Sequence, residues 1–312
     1  MNDIEKADIC EKILKLKEEK HALILAHYYQ TMDIQHLADF CGDSFELARK
    51  ARTSHKQLII FCGVKFMAES AKVMNPGKRV FLPRVDAGCP MADMITRDDV
   101  LKMRQEHPDA AVVCYINSSA DTKAVSDICC TSSNAVKIVS SLSQKEIIFV
   151  PDKNLGSYVQ KQLPEKTFYF HKGWCPIHKH LPEADAVSAK KMYPDAPLVV
   201  HPECEEEVRI HADKIGSTSE IISFCHETNA KRVIIGTEVA VLDRVKEECP
   251  DKEFILLSPY LVCPNMKKTH VEDLLYTLET FENEVCMTDE EIASARLPLE
   301  RMLQAAQTKA EI

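Results

Sequence analysis

Apolar residues along this chain gather into short unbroken runs, each closing on polar residues. LILAHYYQ (23–30), AVVCYINS (111–118) and PLVVHPEC (197–204) form one set. QLIIFCG near Cys62, EIIFVPD near Val150 and RVIIGTE near Gly236 form a second. KRVFLPRVDAGC, KTFYFHKGWC and EFILLSPYLVC form a third. The runs do not alternate apolar with polar, which is the pattern of parallel strands covered on both faces. Between and after them lie helical segments, CEKILKLKEEK (10–20), TRDDVLKMRQEH (96–107), PEADAVSAKKMY (182–193) and VEDLLYTLETF (271–281). The order is strand, helix, strand, helix, strand, helix, which implies right-handed parallel sheets.

The sets align with one another. Placing His27, Tyr115 and His201 together requires steps of 88 and 86 residues, and the second set falls into the same register. The third set ends on Cys89, Cys175 and Cys263, separated by 86 and 88 residues. Matching offsets in three separate sets identify an internal repeat. The expected fold is α/β: three similar small parallel-sheet domains around a pseudo-threefold axis. Their expected spans are 1–94, 95–180 and 181–269, with the tail 270–312 packing on the first.

Composition narrows the function. A formal charge of −9 argues against a nucleic-acid or anionic-membrane surface. No apolar run approaches the ~20 residues of a membrane span. Residues 1–20 are charged and helical in pattern, unlike a secretory signal. A cytoplasmic protein is expected. Thirteen cysteines, an odd number without an export signal, do not suggest a disulfide scaffold. The eight glycines form neither GxGxxG nor GxxxxGK[ST], which removes the usual dinucleotide and P-loop signatures.

In parallel α/β sheets, ligands bind at the carboxyl ends of the strands. The first strand of each repeat ends there in a polar pair: His27 and Tyr29, Tyr115 and Asn117, His201 and Glu203. Spacing of i, i+2 sends both side chains of a pair to one side of an extended backbone. Ser44, Ser132 and Thr218 mark helix starts in the same register. They are ordinary cap residues taken singly, but three helix starts facing one opening would bind carboxylate or phosphate. Cys89, Cys175 and Cys263 each precede a proline, and threefold placement brings their thiols to one point. Three thiolates can hold zinc with a fourth ligand or an iron–sulfur cluster, and spacing leaves both open. Cys129 and Cys130, adjacent in sequence, read as structural. Lys65 and Lys72 share one helix face and could offset phosphate charge, or simply be solvated.

The chain resembles the quinolinate synthase family over nearly its whole length, from AHYYQ (26–30) to ARLPLERML (295–303). The resemblance rests on GVKFMAESAKVM (63–74), GCPMAD (88–93), YINSSADTKAVSDICCTSSNA (115–135), PDKNLG (151–156) and GWCPIH (173–178). It extends through HPECEEEV (201–208), DKIGSTSEII (213–222), IGTE (235–238) and CPNMK (263–267), while HKGW before Cys175 departs slightly from the family pattern. It implies condensation of iminoaspartate with dihydroxyacetone phosphate to quinolinate, for NAD biosynthesis, and a [4Fe–4S] cluster on Cys89, Cys175 and Cys263. It implies that His27 and Ser44 hold a substrate carboxylate, and that Ser132 and Thr218 serve phosphate or carboxylate. Tyr29, Tyr115 and Asn117 would line the cavity, His201 and Glu203 would transfer protons, and His178 would complete the substrate site. Thr237 and Glu238 are further candidates. An iminoaspartate-producing oxidase or dehydrogenase is the implied functional partner. Two rivals compete with this reading: a metal-based redox sensor, and a hydro-lyase acting on a hydroxy acid.

Overall fold

The computed structural model describes residues 3–307. Its first four strands are β1 (Ala22–His27), β2 (Phe40–Gly42), β3 (Leu58–Cys62) and β4 (Arg79–Phe81). Next come β5 (Ala111–Tyr115), β6 (Ile128–Cys130), β7 (Glu146–Val150) and β8 (Thr167–Phe170). The last four are β9 (Leu198–Val200), β10 (Lys214–Ile215), β11 (Arg232–Gly236) and β12 (Glu253–Leu256). They form three four-stranded sheets of identical order, β2-β1-β3-β4, β6-β5-β7-β8 and β10-β9-β11-β12. Every pairing within them is parallel. The fold is therefore the expected α/β class with three similar parallel-sheet units.

Each sheet holds one strand more than the apolar runs predict. The additional strands, β2, β6 and β10, are only two or three residues long, too short to show a period. The four helical segments do form, as Asp3–Glu19, Arg97–Glu106, Glu183–Met192 and Val271–Thr280.

The central strands explain the unbroken runs. All six residues of β1 and all five of β5 are buried, because helices cover both faces. Phe61, Val113 and Phe149 belong to a core shared by the first two units, whereas Val200 and Ile234 sit in a core of the third. Helix Val271–Thr280 packs on helix Asp3–Glu19. Helix Asp289–Gln307 crosses helix Ala120–Ala124, β6 and helix Lys65–Met74. It buries Ala295, Leu299, Met302 and Leu303 there, so the C-terminal segment ties the first unit to the second.

Gly236 shows how closely the strands approach. A Cβ at this position would stand 2.7 Å from Val200 Cγ1 and 3.1 Å from the Val199 carbonyl oxygen. The Val200 methyl would have to leave its rotamer, and the carbonyl, being backbone, could yield only by shifting β9 against β11. Gly236→Ala is expected to cost about 1–3 kcal/mol, read as a lower urea midpoint at unchanged m-value.

Candidate functional site

The carboxyl ends of β1, β5 and β9 face a common cavity of about 130 Å³. His27 and Tyr29, Tyr115 and Asn117, and His201 and Glu203 all line it. The hydroxyl residues Ser44, Ser132 and Thr218 join them, as do Cys89, Cys175 and Cys263. Twelve residues singled out from sequence thus meet at one place. His178, Thr237 and Glu238 stand outside it, and His178 is the closest of them to the polar pairs. It is fully buried and stands behind Glu203, outside the cavity lining.

The helix starts differ in detail from the sequence expectation. The caps lie one residue earlier at Asp43 and Ser217, and Ser132 starts no helix, because the next one, Ala135–Ser140, is capped by Asn134 two residues further on. Asp43 accepts from the Phe45 and Glu46 N–H groups, and Ser217 from that of Glu220. These N–H groups are therefore already used, and an anion in the cavity meets chiefly the hydroxyls of Ser44 and Ser132, since that of Thr218 donates to Tyr29. Among the described residues, neither lysine nor arginine lines the cavity. Lys72 instead donates to the carbonyls of Pro76 and Lys78, and Lys65 borders a separate surface depression. The described side chains that could hold an anion there are neutral donors.

Two imidazoles are arranged as such donors. His27 Nδ1 accepts the Tyr29 N–H at 3.1 Å, and His201 Nδ1 accepts the Glu203 N–H at 3.3 Å. With Nδ1 occupied as an acceptor, the proton of each neutral ring belongs on Nε2. Burial holds both rings far below the ordinary histidine range, at about 3, helped by Lys267 at His27 and by His178 at His201. The 3.4 Å approach of His201 Nδ1 to Glu203 Oε2 is consequently not an ion pair. Asn117 Oδ1 is buried without a hydrogen-bond partner, which leaves it free to accept from a ligand.

Glu203 is the electrostatic centre. Burial works to raise its carboxyl, but the His178 ring and the Tyr115 hydroxyl beside it work against that, and it stays below the usual range. Tyr115 donates to Glu203 Oε1 at 2.7 Å. His178 Nδ1 lies 2.7 Å from Oε2 but off the N–H axis, without an in-line hydrogen bond. The other nitrogen of His178 sits 3.0 Å from Thr237 Oγ1, which lies 3.0 Å from the Tyr29 hydroxyl. Thr218 Oγ1 donates to that same tyrosine oxygen at 3.2 Å. A buried polar chain drawn from all three units thus joins the two tyrosines through Thr237, His178 and Glu203. Burial, then the Glu203 charge, pushes both tyrosines well above their ordinary range, so each keeps its proton.

A titration follows from the histidines. A native pKa below the unfolded value of 6.5 means that the unfolded chain takes up the proton first. The stabilising contribution is full above that value and declines as pH falls toward 3, by about 2 kcal/mol per ring at pH 5. The ¹⁵N shifts of both rings should remain those of neutral imidazole down to about pH 5. A midpoint near the unperturbed value for either ring would contradict this.

Burial and backbone donors act in opposite directions on the three sulfurs that line the cavity. Burial raises the Cys89 thiol to about 12, and it raises Cys175 and Cys263 as well. Backbone N–H groups work in the opposite direction at every one: Met91 and Ala92 at Cys89, His178 at Cys175, and Asn265 and Met266 at Cys263. Buried sulfur supplied with backbone donors suits a thiolate held by a cation. Cys175, His178 and Glu203 form a further donor group, with ligand atoms within 4.8 Å of one another. Cys129 and Cys130, by contrast, are buried core residues of β6.

Sequence reasoning missed three contributors: Asp43, Asp152 and Lys267. Asp152 accepts the Cys175 N–H, and Lys267 pairs with Glu238 at 2.9 Å. Asp152 and Asp43 carried a readable signal, since they share the repeat register with Glu238 and Ser217.

Comparison with known proteins agrees with this geometry. The family model described as "NadA: Quinolinate synthetase A protein" matches residues 11–304. A protein of Sulfurihydrogenibium sp. (strain YO3AOP1) named quinolinate synthase is 49% identical over 304 residues, covering 96% of this chain and 99% of its own. One of Caldicellulosiruptor saccharolyticus with the same name is 48% identical, covering 97% and 99%. Another so named, of Geobacter metallireducens, is 49% identical, covering 95% and 97%. With a family match across almost the entire chain and relatives this similar end to end, the chain belongs to the quinolinate synthetase A family of enzymes.

Proposed function

We propose that the cavity condenses iminoaspartate with dihydroxyacetone phosphate to quinolinate, a step of NAD biosynthesis in the cytoplasm, releasing one phosphate and two waters. Cys89, Cys175 and Cys263 would hold a [4Fe–4S] cluster. The observation that carries this reading is the meeting, in one cavity, of three sulfurs and three polar pairs drawn from three equivalent units. A cluster bound by three protein thiolates would supply a Lewis acid beside the substrate. The units themselves are read as 1–94, 95–180 and 181–269, supported by one sheet falling inside each span.

The protein groups have separable tasks. His27 Nε2–H and the Ser44 hydroxyl donate to a substrate carboxylate. Ser132 donates to phosphate or the second carboxylate, joined by Thr218 once its hydroxyl turns from the Tyr29 oxygen, and Asn117 Oδ1 accepts from the imine or amine nitrogen. Glu203, kept as a carboxylate, takes protons directly or through the Tyr115 hydroxyl and returns them by the same route, while the neutral His201 ring steadies the reacting oxygen with a hydrogen bond from Nε2–H. The buried position of His178 supports a positioning role, holding Glu203 against Thr237, rather than contact with substrate. Water is excluded by apolar walls that include Val64, Phe66 and Met67. Iminoaspartate would be supplied by an oxidase or dehydrogenase acting on aspartate.

Turnover tests the reading. Anaerobically purified protein, given both substrates, should form quinolinate and phosphate in equal amounts. Dehydration of citrate-like acids without quinolinate formation would favour the hydro-lyase rival instead.

A further inference from the structure

Strands β3, β7 and β11 each run into a helix, Lys65–Met74, Lys153–Gln162 and Val239–Glu248, whose cap residues are Val64, Asp152 and Glu238. These caps are 88 and 86 residues apart, the register of the whole repeat. In every unit the first N–H of the helix donates to the carbonyl two residues before the cysteine. The pairs are Lys65 to Ala87 at 2.9 Å, Lys153 to Gly173 at 2.9 Å and Val239 to Leu261 at 2.8 Å. The second and third units add another tie. Asp152 Oδ1 accepts the Leu155 N–H at 2.7 Å, and its Oδ2 accepts the Cys175 N–H at 3.0 Å. Glu238 Oε2 accepts the Ala240 N–H at 2.9 Å, and its Oε1 accepts the Cys263 N–H at 3.1 Å. In the first unit Val64 offers no acceptor.

Capping alone does not account for these carboxylates. A serine or asparagine caps a helix as well and avoids burying a charge. Both acids are fully buried. Glu238 has Lys267 beside it, whereas the Asp152 oxygens are met by backbone N–H groups. What a carboxylate adds is a second oxygen, and in both units that oxygen goes to the amide of the cysteine. Fixing the amide fixes the Cα–Cβ direction and therefore where the sulfur stands.

We propose that Asp152 and Glu238 are positioning residues that lock the ligand loops of Cys175 and Cys263, leaving the Cys89 loop the least constrained of the three. The inference rests on the cluster reading above. Asparagine at 152 or glutamine at 238 keeps the shape but has one acceptor oxygen, so it satisfies the helix or the cysteine, not both. Asp152→Ser keeps a cap and is too short to reach the cysteine as well, which separates clamping from capping.

The test compares Asp152→Asn, Asp152→Ser and Glu238→Gln with the wild type, each as purified anaerobically. Loss of iron to a chelator is followed by absorbance, and hydrogen exchange is followed over 171–179 and 259–267. Outer-shell residues typically govern metal affinity by about 10–100-fold. Iron loss should accordingly be at least about tenfold faster in every variant. Exchange should quicken over 171–179 in the Asp152 variants alone and over 259–267 in Glu238→Gln alone. An iron-bearing wild type whose variants release iron at its own rate would overturn this inference while sparing the cluster reading. Exchange quickening throughout the chain would also overturn it, because the residues would then support the fold in general. A wild type that binds no iron would overturn the cluster reading and this role together.

Discussion

Replacing Cys89, Cys175 or Cys263 by serine, one at a time, is expected to leave a colourless protein whose quinolinate-forming activity falls to background. A serine hydroxyl keeps its proton at neutral pH and is a poor ligand for iron, so each change removes one of three anchors. The three sulfurs line one cavity and occupy equivalent places after β4, β8 and β12, so the loss should be equal at all three positions. Cys129→Ser and Cys130→Ser provide the contrast. Both side chains are fully buried on β6, where a hydroxyl without a partner costs about 1–3 kcal/mol. Those two variants should keep the broad absorbance near 400 nm and the activity while unfolding at lower urea. Bleaching by all five changes would show that the sorting of the thiols is wrong. Absorbance and product formation, measured on the same anaerobic samples, decide the matter.

Glu203→Gln should have the next largest effect. Its carboxylate accepts from Tyr115 at 2.7 Å and lies 2.7 Å from His178, so it is the charge on which the buried polar chain converges. Glutamine fills the same space but carries no charge and only one acceptor oxygen. It cannot hold a proton between steps, and one neighbour loses its partner. General acid–base groups typically contribute 10²–10⁴-fold, so kcat should fall by about that factor with KM little altered. Far-UV circular dichroism and iron content should be unchanged, since no proposed ligand is touched. A raised KM at near-normal kcat would instead assign Glu203 to substrate binding.

Much of this architecture was legible because the chain states it three times. A single polar pair such as Tyr115 and Asn117 says little, but three pairs in register locate the strand ends and place them together. The cysteines were legible for the same reason. Strands β2, β6 and β10 were not, because two or three residues cannot display a period and their burial comes from the neighbouring strand. Ser44 and Thr218 stood one residue beyond the caps. An aspartate or serine immediately before them fits the cap equally well, and only backbone geometry distinguishes the two positions. The departure of His178 from the cavity has a similar origin. A position three residues after Cys175 gives proximity to the sulfur, whereas the packing of its ring on His201, with centroids 4.7 Å apart, turns it behind Glu203. Lys267 was illegible outright, since its partner Glu238 lies 29 residues away and becomes a neighbour only through the fold.

Iron anomalous diffraction from anaerobically grown crystals tests the central claim most directly. The account predicts one compact peak bonded to the sulfurs of Cys89, Cys175 and Cys263, with one iron lacking any protein ligand. Separate metal atoms on the three cysteines, a lone zinc, or His178 or Glu203 coordinated as a fourth ligand would contradict it.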